Sequence, residues 1–293
     1  MNKFKFLIAP LAAVFAIATV ACSNDDNDKP QDNPLYPTES KVDPAVAFPN
    51  GVPTHAGDYK ITLNNRGKVE FISDGDEKAT FSYKPVSRTV DYDMSMVISS
   101  SDSKETETFY FKLNNLGFVE YAYQVENDPS EDFIDTEEWW FSYNDNGQLS
   151  YMKRTEGNNE TTTISYIDGN ITKVETISDE DPFFPGRRNY MIAEIAYTDT
   201  ANPQTLENKS GIMFFDDIFR IDLDEMEYAY FAGLLGKATK DLPVSAKETN
   251  GNSYLANYSF DWTLNASLMP TKLITTMTDN TGQHDRETYS FAW

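Results

Sequence analysis

The sequence contains few residues of the types that usually carry catalysis or bind transition metals. It has one cysteine, Cys22, and two histidines, His55 and His284. A single cysteine excludes an intramolecular disulfide, and these residues are too few and too scattered for a structural zinc site. Neither histidine lies in a motif with a neighbouring serine or cysteine nucleophile. We therefore predict a fold that depends on a hydrophobic core and holds no cofactor and no metal.

Positive charge is also scarce. The chain has 24 lysine and arginine residues against 47 aspartate and glutamate residues, which gives a formal net charge of −23. Removal of residues 1–21 would take away Lys3 and Lys5 but no acidic residue, so the charge would become −25. A chain this acidic repels phosphate backbones, and we predict that nucleic acid is not a partner.

Long apolar runs are missing except at the N-terminus. Residues 6–20 are apolar but fall short of the about 20 residues that a transmembrane helix needs, and Lys3 and Lys5 precede them, which is typical of a signal peptide. The sequence TVAC at residues 19–22 is similar to a bacterial lipobox, although Thr19 stands where leucine is most common. We predict a lipoprotein signal peptide over residues 1–21 and lipid attachment at Cys22. A plain secretory peptide cleaved nearby is the alternative.

The segment after Cys22 is acidic and rich in proline. Its aspartate run is similar to the export signal that sends Bacteroidetes lipoproteins to the outer surface of the cell. Six prolines occur between Pro30 and Pro53, which favours an extended, disordered stalk over residues 22–56. The predicted location is therefore the outer membrane, with the chain facing the cell exterior and held by the lipid on Cys22.

A hairpin pattern recurs from residue 57 onward. Segments 59–72, 109–123 and 139–152 each contain an alternating strand, the motif Asn-x-x-Gly and a second alternating strand. Asparagine starts such a turn, and glycine takes the positive φ that closes a bulged hairpin. A shorter version at 163–177 uses Asp168-Gly169, and further alternating segments lie at 78–86, 92–99, 189–198, 253–264, 270–278 and 286–293. We predict one mainly β domain over residues 57–293, an antiparallel hairpin meander that forms a curled sheet or a soluble barrel.

One segment has helical periodicity instead. Leu223, Met226, Tyr230 and Leu234 share one helical face within residues 222–235, and Asp222 is a candidate N-cap. We predict one short helix here that plugs or caps an opening in the sheet.

The chain resembles a known family at this point. The repeated hairpins, the sequence AGLLGKATKDLPV at residues 232–244 and the closing aromatic strands are similar to a Bacteroidetes lipoprotein family with an uncharacterised domain described as porin-like. The resemblance implies a many-stranded antiparallel barrel or curled sheet over about residues 57–293. It implies no catalytic residues, because the family has no established activity.

A porin-like shape does not by itself indicate a membrane pore. A barrel that faces lipid needs an outward apolar band. In the predicted strands, charged residues alternate with the apolar row, at Lys60, Glu70, Lys112, Glu120, Lys173 and Glu175. We therefore expect the polar row to face water and the apolar row to face inward.

Aromatic residues make up 14% of the chain and supply the candidate binding residues. Trp139 and Trp140 are adjacent in one predicted strand, so one ring points inward and the other outward. An outward tryptophan near Tyr143 and Tyr151 would form a stacking platform for a sugar ring or a partner's apolar patch. The other reading is that neighbouring strands cover both rings.

A second candidate lies on a loop bounded by proline. Phe183 and Phe184 stand beside two arginines in residues 181–190, which predicts either a binding loop or a long connection held in place by its aromatic residues.

These features favour a binding protein for a glycan or a protein partner over an enzyme. One alternative is a glycan-acting hydrolase that uses a carboxylate pair, for which the acidic segment 126–138 is the densest source. Another alternative is a structural accessory subunit of an outer-membrane complex.

Overall fold

The computed structural model describes residues 41–293 except 85–91, 102, 130–133, 181–185, 187, 202 and 252. The strands are β1 (His55–Ala56), β2 (Tyr59–Leu63), β3 (Val69–Ser73), β4 (Glu77–Ser82), β5 (Met94–Ser100), β6 (Thr106–Leu113), β7 (Val119–Asn127), β8 (Asp135–Tyr143), β9 (Leu149–Arg154), β10 (Thr161–Ile167), β11 (Asn170–Ile177), β12 (Tyr190–Ala196), β13 (Leu206–Glu207), β14 (Asp241–Leu242), β15 (Ser245–Asn250), β16 (Ser253–Leu264), β17 (Pro270–Asp279) and β18 (His284–Ala292). The α-helices are α1 (Glu156–Asn159), α2 (Phe215–Phe219) and α3 (Glu227–Phe231), and short 3-10 turns occur at Pro44–Val46 and Asp224–Met226.

Sixteen of the described strands form one closed antiparallel barrel. Going around the barrel, the order is β1-β18-β17-β16-β15-β12-β11-β10-β9-β8-β7-β6-β5-β4-β3-β2, and β1 closes the ring by pairing with both β2 and β18. β13 and β14 form a separate two-stranded ribbon. The mainly β, porin-like antiparallel fold that the sequence predicts is confirmed, and the sheet closes.

The Asn-x-x-Gly turns explain why the chain folds into these hairpins. In four turns an asparagine Oδ1 accepts the backbone N–H groups two and four residues later, at 2.9 to 3.2 Å, and these asparagines are Asn64, Asn114, Asn144 and Asn265. Gly67, Gly117 and Gly147 take positive φ in the first three turns. All four turns lie at the same end of the barrel, because β2, β6, β8 and β16 run in the same direction. We call this end the turn rim and the opposite end the mouth.

The strands alternate between an apolar interior and a polar exterior. In β5, for example, Met94, Met96 and Ile98 are buried, whereas Ser95 and Ser99 lie on the outer face. In the predicted polar row, Lys60, Glu70 and Glu120 are exposed, and Lys112, Lys173 and Glu175 are half-buried. The apolar row therefore packs inside the barrel, as the alternation predicts.

Residues 208–236 fill the lumen, and we call them the plug. The plug reaches strands on several sides: Phe214 packs on Phe291 of β18 with ring centroids 5.8 Å apart, and Phe231 packs on Tyr59 of β2 at 5.4 Å. Within the plug, the Tyr230 hydroxyl donates to the carbonyl of Gly211. The barrel is a packed core, with the helical segment inside it as the sequence predicts.

The helix itself is shorter than predicted. A 3-10 turn at Asp224–Met226 leads into α3, which ends at Phe231. Leu223, and not Asp222, occupies the N-cap position of the 3-10 turn, but Asp222 Oδ1 accepts the backbone N–H of Asp224 at 3.3 Å. Asp222 Oδ2 also accepts a hydrogen bond from Arg154 of β9 at 2.8 Å. The aspartate therefore ties the plug to the wall.

The segment before β1 corrects one boundary of the predicted stalk. Val42 and Phe48 are buried in the core, and the Phe48 ring packs edge-on against Tyr230 at 5.4 Å. Residues 41–56 therefore belong to the barrel and not to a disordered stalk, because apolar side chains of this segment are buried against the plug at the turn rim. The signal peptide, Cys22 and the rest of the predicted stalk lie outside the described residues. Among the described residues, no helix has the length and apolar character needed to cross a bilayer.

Candidate functional site

The two adjacent tryptophans point to opposite faces of the barrel wall. The Trp139 side chain is fully buried, and its Nε1 donates to Gln124 Oε1 at 3.3 Å. Trp140 is half-buried on the outer face, where it pairs across the strands with Tyr121 of β7 and Lys153 of β9. Trp139 is therefore wrong as a binding residue, because the barrel covers it, whereas Trp140 is placed to contact a ligand.

Trp140 is part of a row of aromatic rings that crosses the outer face of the wall. We call Tyr92, Tyr110, Tyr121 and Trp140 the aromatic strip. Tyr92 lies 5.5 Å from Tyr110 and stacks on Tyr121 at 6.4 Å with an interplanar angle of 9°, and Tyr121 lies 5.7 Å from Trp140. Each ring is half-buried. The strip therefore offers several connected π-faces to solvent on strands that neighbour each other.

Polar groups border the aromatic strip. The Tyr121 hydroxyl donates to Glu138 Oε2 at 3.1 Å, and Lys153 Nζ lies 5.5 Å from the centre of the Trp140 ring. On the other side, Lys112 of β6 pairs directly with Tyr121. The row Lys112, Tyr121, Trp140 and Lys153 thus runs straight across four strands, with a cation at each end and aromatic rings between them.

The other predicted aromatic residues are placed differently. Tyr143 points inward with Trp139 and Phe141, which alternate with the outward residues of β8, and its hydroxyl donates to the carbonyl of Val119 at 2.7 Å. It is therefore wrong as a platform residue. Tyr151 is half-buried opposite Ser142, on the outer face. Phe183 and Phe184 lie outside the described residues.

Sequence reasoning missed three of the four rings in the strip. Tyr110 lies two residues before Lys112, a position already assigned to the outer row, so the alternation could have placed its ring outside. Tyr121 pairs with Lys112, and this pairing follows from the hairpin register. Tyr92 gave no comparable signal, because it precedes β5 and reaches the strip through tertiary packing.

The mouth contains an acidic cavity of about 540 Å³. Its described lining includes eight acidic residues and no basic residue, and the acids are Glu105, Glu107, Glu126, Asp135, Glu137, Glu156, Asp224 and Glu225. The predicted acidic segment 126–138 contributes to it, but as the end of β7 and the start of β8 and not only as a solvated loop. Strand ends from the wall and the 3-10 turn of the plug therefore gather these carboxyl groups at one end of the barrel.

Burial changes the protonation of several of these carboxyl groups. Burial, reinforced by Glu225 and Glu126, raises the pKa of Glu107 to about 8. Burial also raises the pKa of Glu137 to about 7, although its Oε1 accepts the Glu156 N–H at 3.1 Å. For Asp224, burial outweighs the attraction of Arg154 and raises the pKa to about 7. The cavity thus holds carboxyl groups that titrate near neutral pH.

Arg154 is the cation that pairs with several carboxylates next to the acidic cavity. It is buried, forms ion pairs with Asp222, Asp224 and, at 3.5 Å, Glu160, and its guanidinium lies 5.4 Å from the centre of the Trp139 ring. Its Nε has no hydrogen-bond partner among the described residues. The described part of the chain contains no cluster of histidine, cysteine and carboxylate side chains arranged to hold a metal ion.

Comparison with solved structures supports the fold. A porin-like protein from Bacteroides uniformis matches with a TM-score of 0.53 and 17% identity, over 80% of this chain and 87% of that chain. A porin-like protein from Bacteroides vulgatus matches with a TM-score of 0.53 and 11% identity, over 82% of this chain and 98% of that chain. At these identities the likeness shows the fold alone. No curated protein matches the sequence.

The family comparison covers most of the barrel. Residues 59–272 match the model of a domain of unknown function with porin-like fold, DUF4595, which runs from β2 into β17. The match includes the Asn-x-x-Gly hairpins, the plug and the strands of the aromatic strip. The chain therefore belongs to the DUF4595 family of porin-like domains.

Proposed function

We propose that this protein is a cell-surface lipoprotein that binds a glycan, without catalysis, through the aromatic strip on the outer face of the barrel. The observation that carries the proposal is the continuous contact from Tyr110 through Tyr92 and Tyr121 to Trp140. Sugar rings stack on aromatic faces because their C–H groups are apolar, while their hydroxyl groups need polar partners at the edge. Glu138, Lys112 and Lys153 supply such partners beside the rings.

The charges at the ends of the row refine the ligand class. Neighbouring strands are about 4.8 Å apart, so the backbone positions of Lys112 and Lys153 lie roughly 14 Å apart, which is the length of a short oligosaccharide. Two lysines at the ends of the row favour a glycan that carries carboxylate or sulfate groups. Binding is then expected to weaken as salt is added, because exposed charges are screened.

A glycan array tests this function on residues 22–293 carrying Cys22→Ser. Trp140→Ala should abolish the glycan signal while leaving the melting temperature nearly unchanged, because Trp140 is on the outer face. Phe71→Ala is the matched control: Phe71 is also half-buried on the outer face with a lysine over its ring, Lys78 at 4.0 Å, but lies outside the strip. Trp139→Ala is unsuitable, because it removes a core residue.

Three results would count against the glycan proposal. An array without any signal for the folded parent protein would reject it, and so would equal losses for Trp140→Ala and Phe71→Ala. Co-purification of one stoichiometric outer-membrane protein, lost in Trp140→Ala, would assign the strip to a protein partner instead and make the chain an accessory subunit.

The lipoprotein part of the proposal rests on the lipobox-like residues 19–22 and the acidic segment behind them. Incorporation of labelled palmitate into the intact chain, and its loss in Cys22→Ser, is the expected result. Digestion of the protein by protease added to whole cells would support the outward-facing location. Failure of either experiment leaves the glycan test unaffected, because that test uses unacylated protein.

A second candidate function is glycoside hydrolysis in the acidic cavity. Its supporting observation is that Glu137 is 8% exposed and, like Glu107, has a pKa raised to near neutral by burial, within a lining that also holds other carboxylates. A protonated carboxyl group beside an ionised one is the arrangement that glycosidases use. Release of reducing sugar that is lost in Glu137→Gln but kept in Trp140→Ala would favour this function over simple binding.

A further inference from the structure

The turn rim exposes apolar side chains at regular intervals. Leu63, Leu116, Ile167 and Leu268 are 42%, 58%, 64% and 48% exposed. They lie on or beside the hairpin turns β2–β3, β6–β7, β10–β11 and β16–β17. In the barrel order, alternate hairpins at this end carry one such side chain, so the four residues stand about a quarter of the ring apart. Leu206, which is 38% exposed, lies in the β12–β15 connection between Ile167 and Leu268. We call these four side chains the apolar ring.

One member of the apolar ring occupies a position that the fold would give to glycine. In the turn starting at Asn265, Leu268 stands where Gly67, Gly117 and Gly147 stand in the equivalent turns, and its φ is +63°. The left-handed region is unfavourable for leucine because its Cβ crowds the following carbonyl group. The leucine side chain is 48% exposed, so only about half of it is buried in return for this strain. A contact outside the folded chain would account for leucine at this position.

The charges at the two ends of the barrel differ. Exposed Lys237 and Lys240 lie against the hairpins of Gly147 and Gly169, and Arg66 lies in the first turn, while Asp145 and Asp168 are exposed at the same rim. The turn rim thus mixes both signs of charge. The cavity at the mouth, in contrast, has an entirely acidic set of charges in its described lining. An anionic surface is therefore repelled more strongly by the mouth than by the turn rim.

The chain also enters the barrel at the turn rim. The described part begins at Lys41, whose carbonyl oxygen lies 3.0 Å from the site of a Cβ on Gly117 in the β6–β7 turn. The preceding 40 residues contain the predicted acylation point, Cys22. The described chain therefore begins at the same rim that carries the apolar ring.

We propose that the turn rim docks on the surface of a phospholipid bilayer by inserting the apolar ring. Separate apolar side chains arranged in a ring suit a fluid surface, since each one can enter the headgroup region independently. A protein partner or a second copy of the chain needs a contiguous apolar patch. Here the polar turn Asn144–Gly147 separates Leu116 from Ile167 in the ring. Docking holds the barrel with its mouth and aromatic strip accessible, and it does not depend on the glycan-binding proposal.

Vesicle co-sedimentation tests the docking proposal. The protein is residues 22–293 with Cys22→Ser, so that no acyl chain contributes, and the vesicles contain phosphatidylcholine and phosphatidylglycerol. The parent should bind, and a variant with Leu63→Ser, Leu116→Ser, Ile167→Ser and Leu268→Gly should bind roughly tenfold more weakly or not at all. Ile134→Ser is the matched control, because Ile134 is also 64% exposed but lies at the mouth. It should bind like the parent.

The single variant Leu268→Gly separates function from folding. It should raise the melting temperature, because glycine relieves the positive φ, and still reduce vesicle binding. Absence of binding by the folded parent, or equal binding by the parent and the four-residue variant, would overturn the proposal. A parent that is dimeric by light scattering and becomes monomeric when the ring is removed, without binding vesicles, would assign the ring to a second copy instead. Trp140→Ala should bind vesicles like the parent, so failure of docking and failure of glycan binding remain distinguishable.

Discussion

At the turn rim, the backbone of the plug closely approaches the backbone of the segment before β1 and of the wall, whereas at the mouth the plug meets the wall through charged side chains. A Cβ on Gly211 would lie 2.3 Å from the Ala47 carbonyl oxygen, and one on Gly236 would lie 2.8 Å from the Gly147 carbonyl oxygen. At the mouth, the plug is held by Arg154 pairing with Asp222 and Asp224. Steric fit thus holds one end of the plug, and a network of titratable charges holds the other. Changes in side-chain size should therefore affect stability most at the turn rim, and changes in charge or pH should affect it most at the mouth.

The largest expected effect is Gly211→Ala at the turn rim. Gly211 has a φ of +76°, and the added methyl group would overlap the Ala47 carbonyl oxygen. Backbone strain and overpacking together are expected to lower the free energy of unfolding by about 3 kcal/mol or more. Denaturant unfolding measures this change.

Gly67→Ala provides the matched control for that experiment. Gly67 also has a φ of +76°, but nothing lies within 4 Å of an added Cβ. The Gly67→Ala substitution should lower the free energy of unfolding by only about 1 kcal/mol, which is the strain of the positive φ. Equal losses in the two variants would show that close approach of the plug does not stabilise the turn rim.

The next largest loss of stability is expected at the mouth, where Arg154→Met removes the buried cation. The remaining carboxylates Asp222, Asp224 and Glu160 then repel one another. We expect a loss of about 3 kcal/mol, the lower end for breaking a buried ion pair, because Asp222 and Asp224 are partly exposed. The loss should be smaller in mild acid, where Asp224 is protonated. A loss independent of pH would show that packing against Trp139, and not charge, sets the role of Arg154.

The same contrast explains how far sequence reasoning could go. The turns at the turn rim could be predicted because an asparagine and a glycine three residues later form the turn through local interactions, as at Asn64 and Gly67. The Asn265 turn was missed because Leu268 replaces the glycine. The mouth and the aromatic strip were harder to predict, since Tyr121 and Trp140 come from separate strands and Tyr92 lies before β5. Tyr143 was misplaced because it was grouped with the outward tryptophan, although it shares the alternation of Trp139 and Phe141, which face inward.

A smaller effect should appear when the pH is changed. The pKa values of Glu107 and Glu137 are raised by burial to about 8 and about 7, from ordinary values near 4.5. At pH values between the ordinary and the raised pKa, the native state binds more protons than the unfolded state, so the free energy of unfolding falls as the pH rises. This contribution is fully present below about pH 4.5 and is lost as the pH passes through 7 to 8.

Thermal unfolding in buffers from about pH 5 to about pH 9 measures this contribution. Glu137→Gln cannot ionise, so the melting temperature of this variant should decline less steeply with pH than that of the parent. Glu70→Gln is the control, because Glu70 is exposed on β3. A parent whose stability rises across this range would contradict the assignment of neutral carboxyl groups to the mouth.

The smallest expected effect has the opposite sign and lies at the turn rim. Leu268→Gly should raise the free energy of unfolding by about 1 kcal/mol, because glycine adopts a φ of +63° without the clash that leucine suffers. The hydrogen bonds of the turn remain, since Asn265 Oδ1 accepts the backbone N–H groups of Ser267 and Met269. Leu116→Ser, in a turn that already has its glycine, should change stability by less than about 0.5 kcal/mol. If Leu268→Gly instead destabilised the protein, the leucine side chain would be packing in the fold, and strain at this turn would no longer support a role for the apolar ring outside it.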